Sequence, residues 1–286
     1  MPVVIAAICA AVYGVADYCG GRASRSAPST LVTLLGQLAS LTFGILVVAI
    51  ARDRFAGATD LLWGAGAGVA SAVALVAFYH ALSQGAMTVV APITAVTSAV
   101  LPIVFALSRG ERPKVLAYVG IAIAVIAVVL VSGALGEGRM PTSRHILLLS
   151  FVAGTGFAGI FIALAQASAG GGYWPLLSSR TVSICLMAAV VFGRRNAPRV
   201  ALLGMPRSIL LLAATSGILD MAANVLYLLA VRRGLLSIVV VVVALYPVST
   251  VCLAYRLDHE RVSRSQAVGM GLAACALVLV SVAGAN

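Results

Sequence analysis

The sequence predicts an all-α integral membrane protein of ten transmembrane helices, arranged as two inverted five-helix repeats. Three observations lead there: an apolar composition, ten apolar stretches of spanning length, and an internal repeat at a constant offset. Of 286 residues, 62% are hydrophobic and only 9% charged, with a mean hydropathy of +1.11. Soluble domains carry about 25% charged residues because a watery surface demands them. A chain this poor in charge takes lipid as its main solvent.

One span uses about 20 residues, so the chain has room for about ten, joined by short loops. The stretches fall at 3–20, 29–50, 61–81, 86–107, 114–134, 145–168, 174–193, 209–231, 235–255 and 265–284. Charge and turn residues separate them at 20–26, 52–60, 108–114, 136–144 and 194–207. Two joints are tight, at Gly85 and Gly234, and each reads as a helical hairpin with glycine at the turn. The opening MPVVIAAICAAVYGVADYCG lacks a basic leading region and runs at once into a second span. It is therefore expected to be a first span and not a cleaved signal peptide.

The net charge of +11 would suggest nucleic acid in a soluble protein. Here the basic residues sit in short loops, as at Arg194-Arg195, Arg232-Arg233 and 109–114, where they anchor helix ends and set topology. No nucleic-acid partner is expected. The five cysteines, Cys9, Cys19, Cys185, Cys252 and Cys275, show no metal spacing and lie in or beside apolar runs, as reduced thiols do. His80, His145 and His259 lie at span ends without spaced ligands, so no metal and no cofactor is expected. No catalytic arrangement is recognisable, and a Walker-type GxxxxGK[ST] loop is absent from the sequence, which argues against an enzyme and against an ATP-driven pump.

Shifting the chain by 149 residues, the spacing of Gly85 and Gly234, also aligns Glu111-Arg112 with Glu260-Arg261 and Gly120 with Gly269. The turn glycine, the acid–base pair and the helix glycine at one offset define two units, 1–135 and 145–286. Five spans in each unit force the two into opposite orientations, the inverted repeat of many secondary transporters, whose site lies between the halves near the midplane.

The segments APITAVTSAVLPIVFALSRGERPKVLAYVG and VVVALYPVSTVCLAYRLDHERVSRSQAVG resemble the closing helices of EamA domains, which define the ten-span branch of the drug/metabolite transporter (DMT) superfamily. The pattern is a proline-containing fourth helix, a Gly-Glu-Arg loop and a glycine in the fifth helix. It departs at His259, which stands where Gly110 does in the first repeat, and at Pro102 and Pro247, which do not align. The resemblance implies two EamA repeats, an inner-membrane location, cytoplasmic termini, and transport, commonly efflux, of amino acids, other metabolites or drugs. Charge bias alone mildly favours the reverse orientation, although the first half favours cytoplasmic termini.

Three charged residues fall inside spans: Asp17, Arg180 and Asp220. A charge at the bilayer centre costs at least about 2.5–3.5 kcal/mol, so it faces a partner or a wet cavity. Asp220 lies near the midplane, with Asn224 and Tyr227 at i+4 and i+7 on the same helix face. An Arg180–Asp220 pair is the simplest way to tolerate both charges, either as a structural lock or as a cavity wall. Gln37 is the repeat counterpart of Arg180 at an offset of 143, and its depth allows a contact with Asp17, the alternative being that Asp17 snorkels unpaired to the interface; Ser71 is the counterpart of Asp220. Tyr246 and Pro247, with Pro92 and Pro102 in the fourth span, are candidates for helix kinks that free a carbonyl. The glycines at 64–68 and Gly154, Gly156 and Gly159 read as close helix packing. Glu111 and Glu260, which precede helix starts, read as dipole and topology anchors.

The function expected is secondary transport of a small molecule by alternating access around a cavity lined by Tyr13, Asp17, Gln37, Arg180, Asp220, Asn224, Tyr227 and Tyr246. Proton coupling through Asp220 is an added expectation, since Asp220 is the acid nearest a midplane. The alternative is a lipid-handling or accessory membrane protein in which the charged pair is only structural. Partners are the bilayer and a small-molecule substrate, with monomer or homodimer left open.

Overall fold

The computed structural model describes residues 1–84, 87–131, 143–193, 205–258 and 263–285. The helices are α1 (Pro2–Ser24), α2 (Ser29–Ala51), α3 (Ala58–Gln84), α4 (Met87–Ser108), α5 (Val115–Val131), α6 (Arg144–Gln166), α7 (Trp174–Gly193), α8 (Arg207–Val231), α9 (Leu236–Val243), α10 (Tyr246–Leu257) and α11 (Arg264–Ala285). A single 3₁₀ turn, Ala169–Gly171, joins α6 to α7. There is no strand among the described residues. The turn glycine Gly85, the pair Arg194-Arg195, and His259, Glu260 and Arg261 lie outside the described residues.

Ten spanning positions result, the ninth shared by α9 and α10. Six of them reach spanning length and hydropathy outright, among them Pro2–Ser24, Arg207–Val231 and the composite Leu236–Leu257. The others contain shorter apolar helices such as Val115–Leu130. Large apolar side chains stand exposed around the bundle, including Ile45, Ile50, Leu148, Leu211 and Val278. In lipid such a surface costs nothing, because the hydrocarbon is as apolar as the side chains.

Local chemistry sets several ends. The Ser143 hydroxyl accepts from the Ile146 amide at 3.3 Å and caps α6. Ser263 and Gln266 form a reciprocal capping box at the start of α11, at 2.9 and 3.2 Å. Pro2 occupies the first turn of α1, where a missing N–H is harmless.

The helix pairings show the inverted repeat directly. α3 of the first unit packs on α6 of the second, and its counterpart α8 packs on α1 of the first. The pairs α2–α7 and α5–α11 join equivalent helices of the two halves and so lie on the pseudo-twofold axis. Small residues let these pairs close. A Cβ on Gly156 would fall 2.8 Å from the Ala74 side chain of α3, and one on Gly120 would fall 2.6 Å from Val280 of α11. Gly64 and Gly68 sit against α7, at Pro175 and Ser179.

Both prolines of the fourth span, Pro92 and Pro102, lie within one unbroken α4. The ninth span instead breaks at Ala244-Leu245, with Pro247 in the first turn of α10. Proline is tolerated there because a first-turn residue has no intrahelical N–H bond to lose.

Candidate functional site

The two faces of the bundle differ. At the face where α1 begins, the near face, side chains tie the loops of both halves together. Asp53, just after α2, accepts from the Tyr173 amide at 2.7 Å. Asp60, at the start of α3, accepts from the Ser168 amide at 2.7 Å and the Ser168 hydroxyl at 2.8 Å. Gly172, at φ +52°, leaves no room for a Cβ beside Asp53, and the left-handed backbone favours glycine there as well. Arg232, at the end of α8, donates to the Ser168 and Gly172 carbonyls at 2.9 and 2.6 Å. Burial lowers the Arg232 pKa, opposed by Tyr173, Asp53 and Asp60 nearby.

Glu111 completes this face. Its carboxylate accepts from the Leu236 amide at 2.8 Å, the Ser237 amide at 3.1 Å and the Ser237 hydroxyl at 2.7 Å. It therefore caps α9, a helix of the other repeat, where the sequence suggested only an anchor near its own helix.

The far face, where α1 ends, is held differently. Arg22 pairs with Asp258, and Arg25 approaches the same carboxylate at 3.5 Å. Both arginines are largely exposed, so these pairs add little.

Between the faces lies the charged cluster. Arg180 on α7 is buried and pairs with Asp220 on α8. Its second nitrogen donates to Gln37 Oε1 on α2 at 3.1 Å. Gln37 and Arg180 occupy the same position of the two repeats, so the axis runs through their contact. Asn224 donates to the Asp220 carbonyl at 2.8 Å and to its carboxylate at 3.4 Å, which steadies the acid from one turn away. The close crossing of α2 and α8 makes this reach work: a Cβ on Gly217 would fall onto the Gly36 carbonyl.

Gln37 thus contacts Arg180, and no hydrogen bond joins it to Asp17 among the described residues. The reason is packing, since α2 lies against α7 and α8 and only lightly against α1. Asp17 and Asp220 lie within electrostatic range of one another, and Tyr246 is within range of Asp17. Tyr13 is half-buried and near both Asp220 and Arg180. Tyr227 lies toward α6. It is fully buried, its hydroxyl donates to the Phe161 carbonyl at 2.7 Å, and its ring packs 4.9 Å from that of Phe161. Ser71 is buried in α3.

The cluster is accessible although it faces inward. The exposed residues of α8, Leu211, Thr215 and Ile218, lie on the side opposite Asp220, yet its side chain is 35% exposed. Asp17 is exposed too. Both carboxylates thus stay accessible on the inward side of their helices, between a near face tied by hydrogen bonds and a far face held by exposed ion pairs. A separate 330 Å³ groove on the outside of α1, among Val4, Ile8, Ala11 and Leu277, is apolar and holds none of this chemistry.

Backbone contacts fix α1, which carries Asp17. The Ser216 hydroxyl of α8 donates to the Ala16 carbonyl at 2.7 Å, and Thr250 of α10 donates to the Gly14 carbonyl at 3.2 Å. Sequence reasoning missed this serine and threonine because single hydroxyls in apolar spans carry no pattern. No group of three or more metal-ligating side chains occurs among the described residues.

Comparison with known proteins adds the family. A solved crystal structure, described only as that of a protein, matches with a TM-score of 0.76 over 98% of both chains at 14% identity, which bears on the fold alone. No curated protein matches. The model of the EamA-like transporter family matches residues 1–133 and again residues 143–282. On that double match the chain belongs to the EamA-like transporter family, and it is a multi-pass membrane transporter of the DMT type.

Proposed function

We propose that this protein is a secondary transporter, working as an exporter of a small metabolite, amino acid or drug by alternating access. The two units, 1–135 and 145–286, move against each other about the α2–α7 axis. The observation that carries the reading is a partly exposed charged cluster between the halves, with one face of the bundle tied by hydrogen bonds and the other held by exposed ion pairs. Charge lies at the interface of the halves; in this reading it opens to the far face, and the bonds of Asp53, Asp60, Glu111 and Arg232 hold the near face closed. One end-state of an alternating-access cycle has this form.

With the termini on the cytoplasmic side of the inner membrane, the conformation is outward-facing. Asp220 is the coupling candidate. It would carry a proton only while separated from Arg180, so coupling requires the pair to open during the cycle.

Flux in proteoliposomes tests the reading. Solutes that accumulate outside overexpressing cells, relative to a deletion strain, are loaded and their movement followed. Transport that depends on the protein and saturates with solute is expected. Absence of flux for every such solute would return the protein to a lipid-handling or accessory role.

A further inference from the structure

We infer that the opening takes a substrate bearing a cationic nitrogen, an ammonium or guanidinium group, and that the Asp17 carboxylate meets its charge. The inference rests on the transporter reading above and names the substrate class of that same site.

The position of Asp17 is the first argument. On α1 the residues Val4, Ile8 and Ala11 are exposed along one side, the lipid side. Val3, Ala6 and Ala10 are buried along the opposite side, and helical periodicity places Tyr13 and Asp17 with them. Asp17 is nevertheless exposed. A residue on the inward side of its helix that stays exposed is exposed to the internal opening. It lies about one turn nearer the far face than Asp220, as the Ser216–Ala16 and Cys9–Ala223 contacts between α1 and α8 set the level.

Charge balance is the second argument. Arg180 is taken up by Asp220 and Gln37, and Asp220 is further held by Asn224. Arg22 and Arg25, near the end of α1, are taken up by Asp258. Asp17 has no hydrogen bond or ion pair among the described residues. The cluster therefore carries two carboxylates against one guanidinium, with the surplus negative charge within range of Asp220. A charge within a membrane span calls for a partner, and the described residues supply none.

The walls are the third. Tyr13 and Tyr246 are half-buried beside the two acids, and aromatic faces attract cations. An anionic solute would meet the surplus carboxylate and would have to displace Asp220 from Arg180. An α-amino acid brings a carboxylate for which the cluster holds no free cation among the described residues. An amine without a carboxylate fits all three features.

Four probes with the same ring and chain length test this on the purified full-length protein: phenethylammonium, 2-phenylethanol, phenylacetate and phenylalanine, measured by equilibrium dialysis. Phenethylammonium is expected to bind most tightly. Asp17→Asn should weaken it on the order of tenfold or more, as loss of one charge partner does, while Asp17→Glu should keep most of the affinity. Binding of 2-phenylethanol, which brings no charge, should change far less than that of phenethylammonium across the three proteins. If Asp17→Asn does not fold, Tyr246→Leu serves: ammonium binding should fall by a larger factor than alcohol binding, since only the ammonium loses a cation–π contact. Equal ammonium binding by wild type and Asp17→Asn, preference for phenylacetate, or no ammonium binding would overturn the inference. Dialysis needs no flux, so the two readings fail separately. Asp17-dependent binding without transport removes the transporter reading, and protein-dependent flux of an anion without ammonium binding removes this one.

Discussion

The Glu111 carboxylate and the Ser237 hydroxyl lie 2.7 Å apart, although they belong to different repeats and are 126 positions apart in the chain. With the Leu236 and Ser237 amides, the pair makes the start of α9 depend on a loop of the other half. Glu111→Ala leaves these donors without their acceptor at the membrane boundary. It is expected to lower stability by about 1–3 kcal/mol, the cost of unsatisfied polar groups. Glu111→Gln, which keeps an acceptor but loses the charge, should lie between Glu111→Ala and wild type. Thermal unfolding in detergent reads the order, and equal melting of all three proteins would show the cap to be idle.

Asp220→Asn should fold and insert, since its amide oxygen can still accept from Arg180. It should abolish concentrative transport while allowing exchange down the gradient. Arg180→Ala should be the worse variant for stability, because it leaves Asp17 and Asp220 facing each other with no cation. Breaking a buried pair costs about 3–5 kcal/mol, and the partial exposure of Asp220 puts this case toward the lower end. Full concentrative transport by Asp220→Asn would leave the pair a purely structural one.

Gly217→Val should separate α2 from α8, because the Gly36 carbonyl occupies the space a side chain would need. Overpacking of this kind costs about 1–3 kcal/mol. The displacement should also pull Gln37 away from Arg180, so solute affinity should fall along with the melting temperature. Wild-type values of both would mean that the crossing relaxes without cost.

Tyr227→Phe separates a core residue from a cavity residue. Losing the bond to the Phe161 carbonyl should cost about 1 kcal/mol, with solute affinity unchanged. A selective loss of affinity in a protein of normal stability would return Tyr227 to the cavity wall.

Arg112→Cys and Ser263→Cys should label from opposite sides of the membrane, Arg112 from the cytoplasm. The two positions follow the fourth and ninth spans, which are equivalent in the repeats but reversed in direction. Labelling of Arg112→Cys from outside the cell would reverse the assigned orientation and make the described state inward-facing.

Much of this was legible in the sequence. Spans follow from hydropathy because lipid leaves helices few alternatives, and the repeat follows from Gly85, Gly234, Glu111 and Glu260. The Arg180–Asp220 pair follows from the cost of isolated charge in a membrane. The partner of Glu111 was not legible, since a carboxylate that caps a distant helix looks the same in sequence as one beside its own. Tyr227 shares a helix side with Asp220, but Phe161 of α6 packs beside it and claims its hydroxyl. Helical periodicity gives the direction of a side chain and not the neighbour it meets. The break at Ala244-Leu245 and the intact α4 show the same limit: Pro102 and Pro247 are both prolines, and packing decides which helix parts.

If the protein works by alternating access as proposed, the unequal fastening of the two faces sets where the empty protein rests. Three hydrogen bonds at Glu111, at about 1 kcal/mol each, outweigh exposed arginine pairs worth about 0–1 kcal/mol. A net bias of about 2 kcal/mol corresponds to roughly 30 molecules in the favoured state for each in the other. A solute that binds both states equally cannot shift that ratio. Turnover is then governed by the scarce state, and weakening the Glu111 cap raises its population without touching any group that meets the solute.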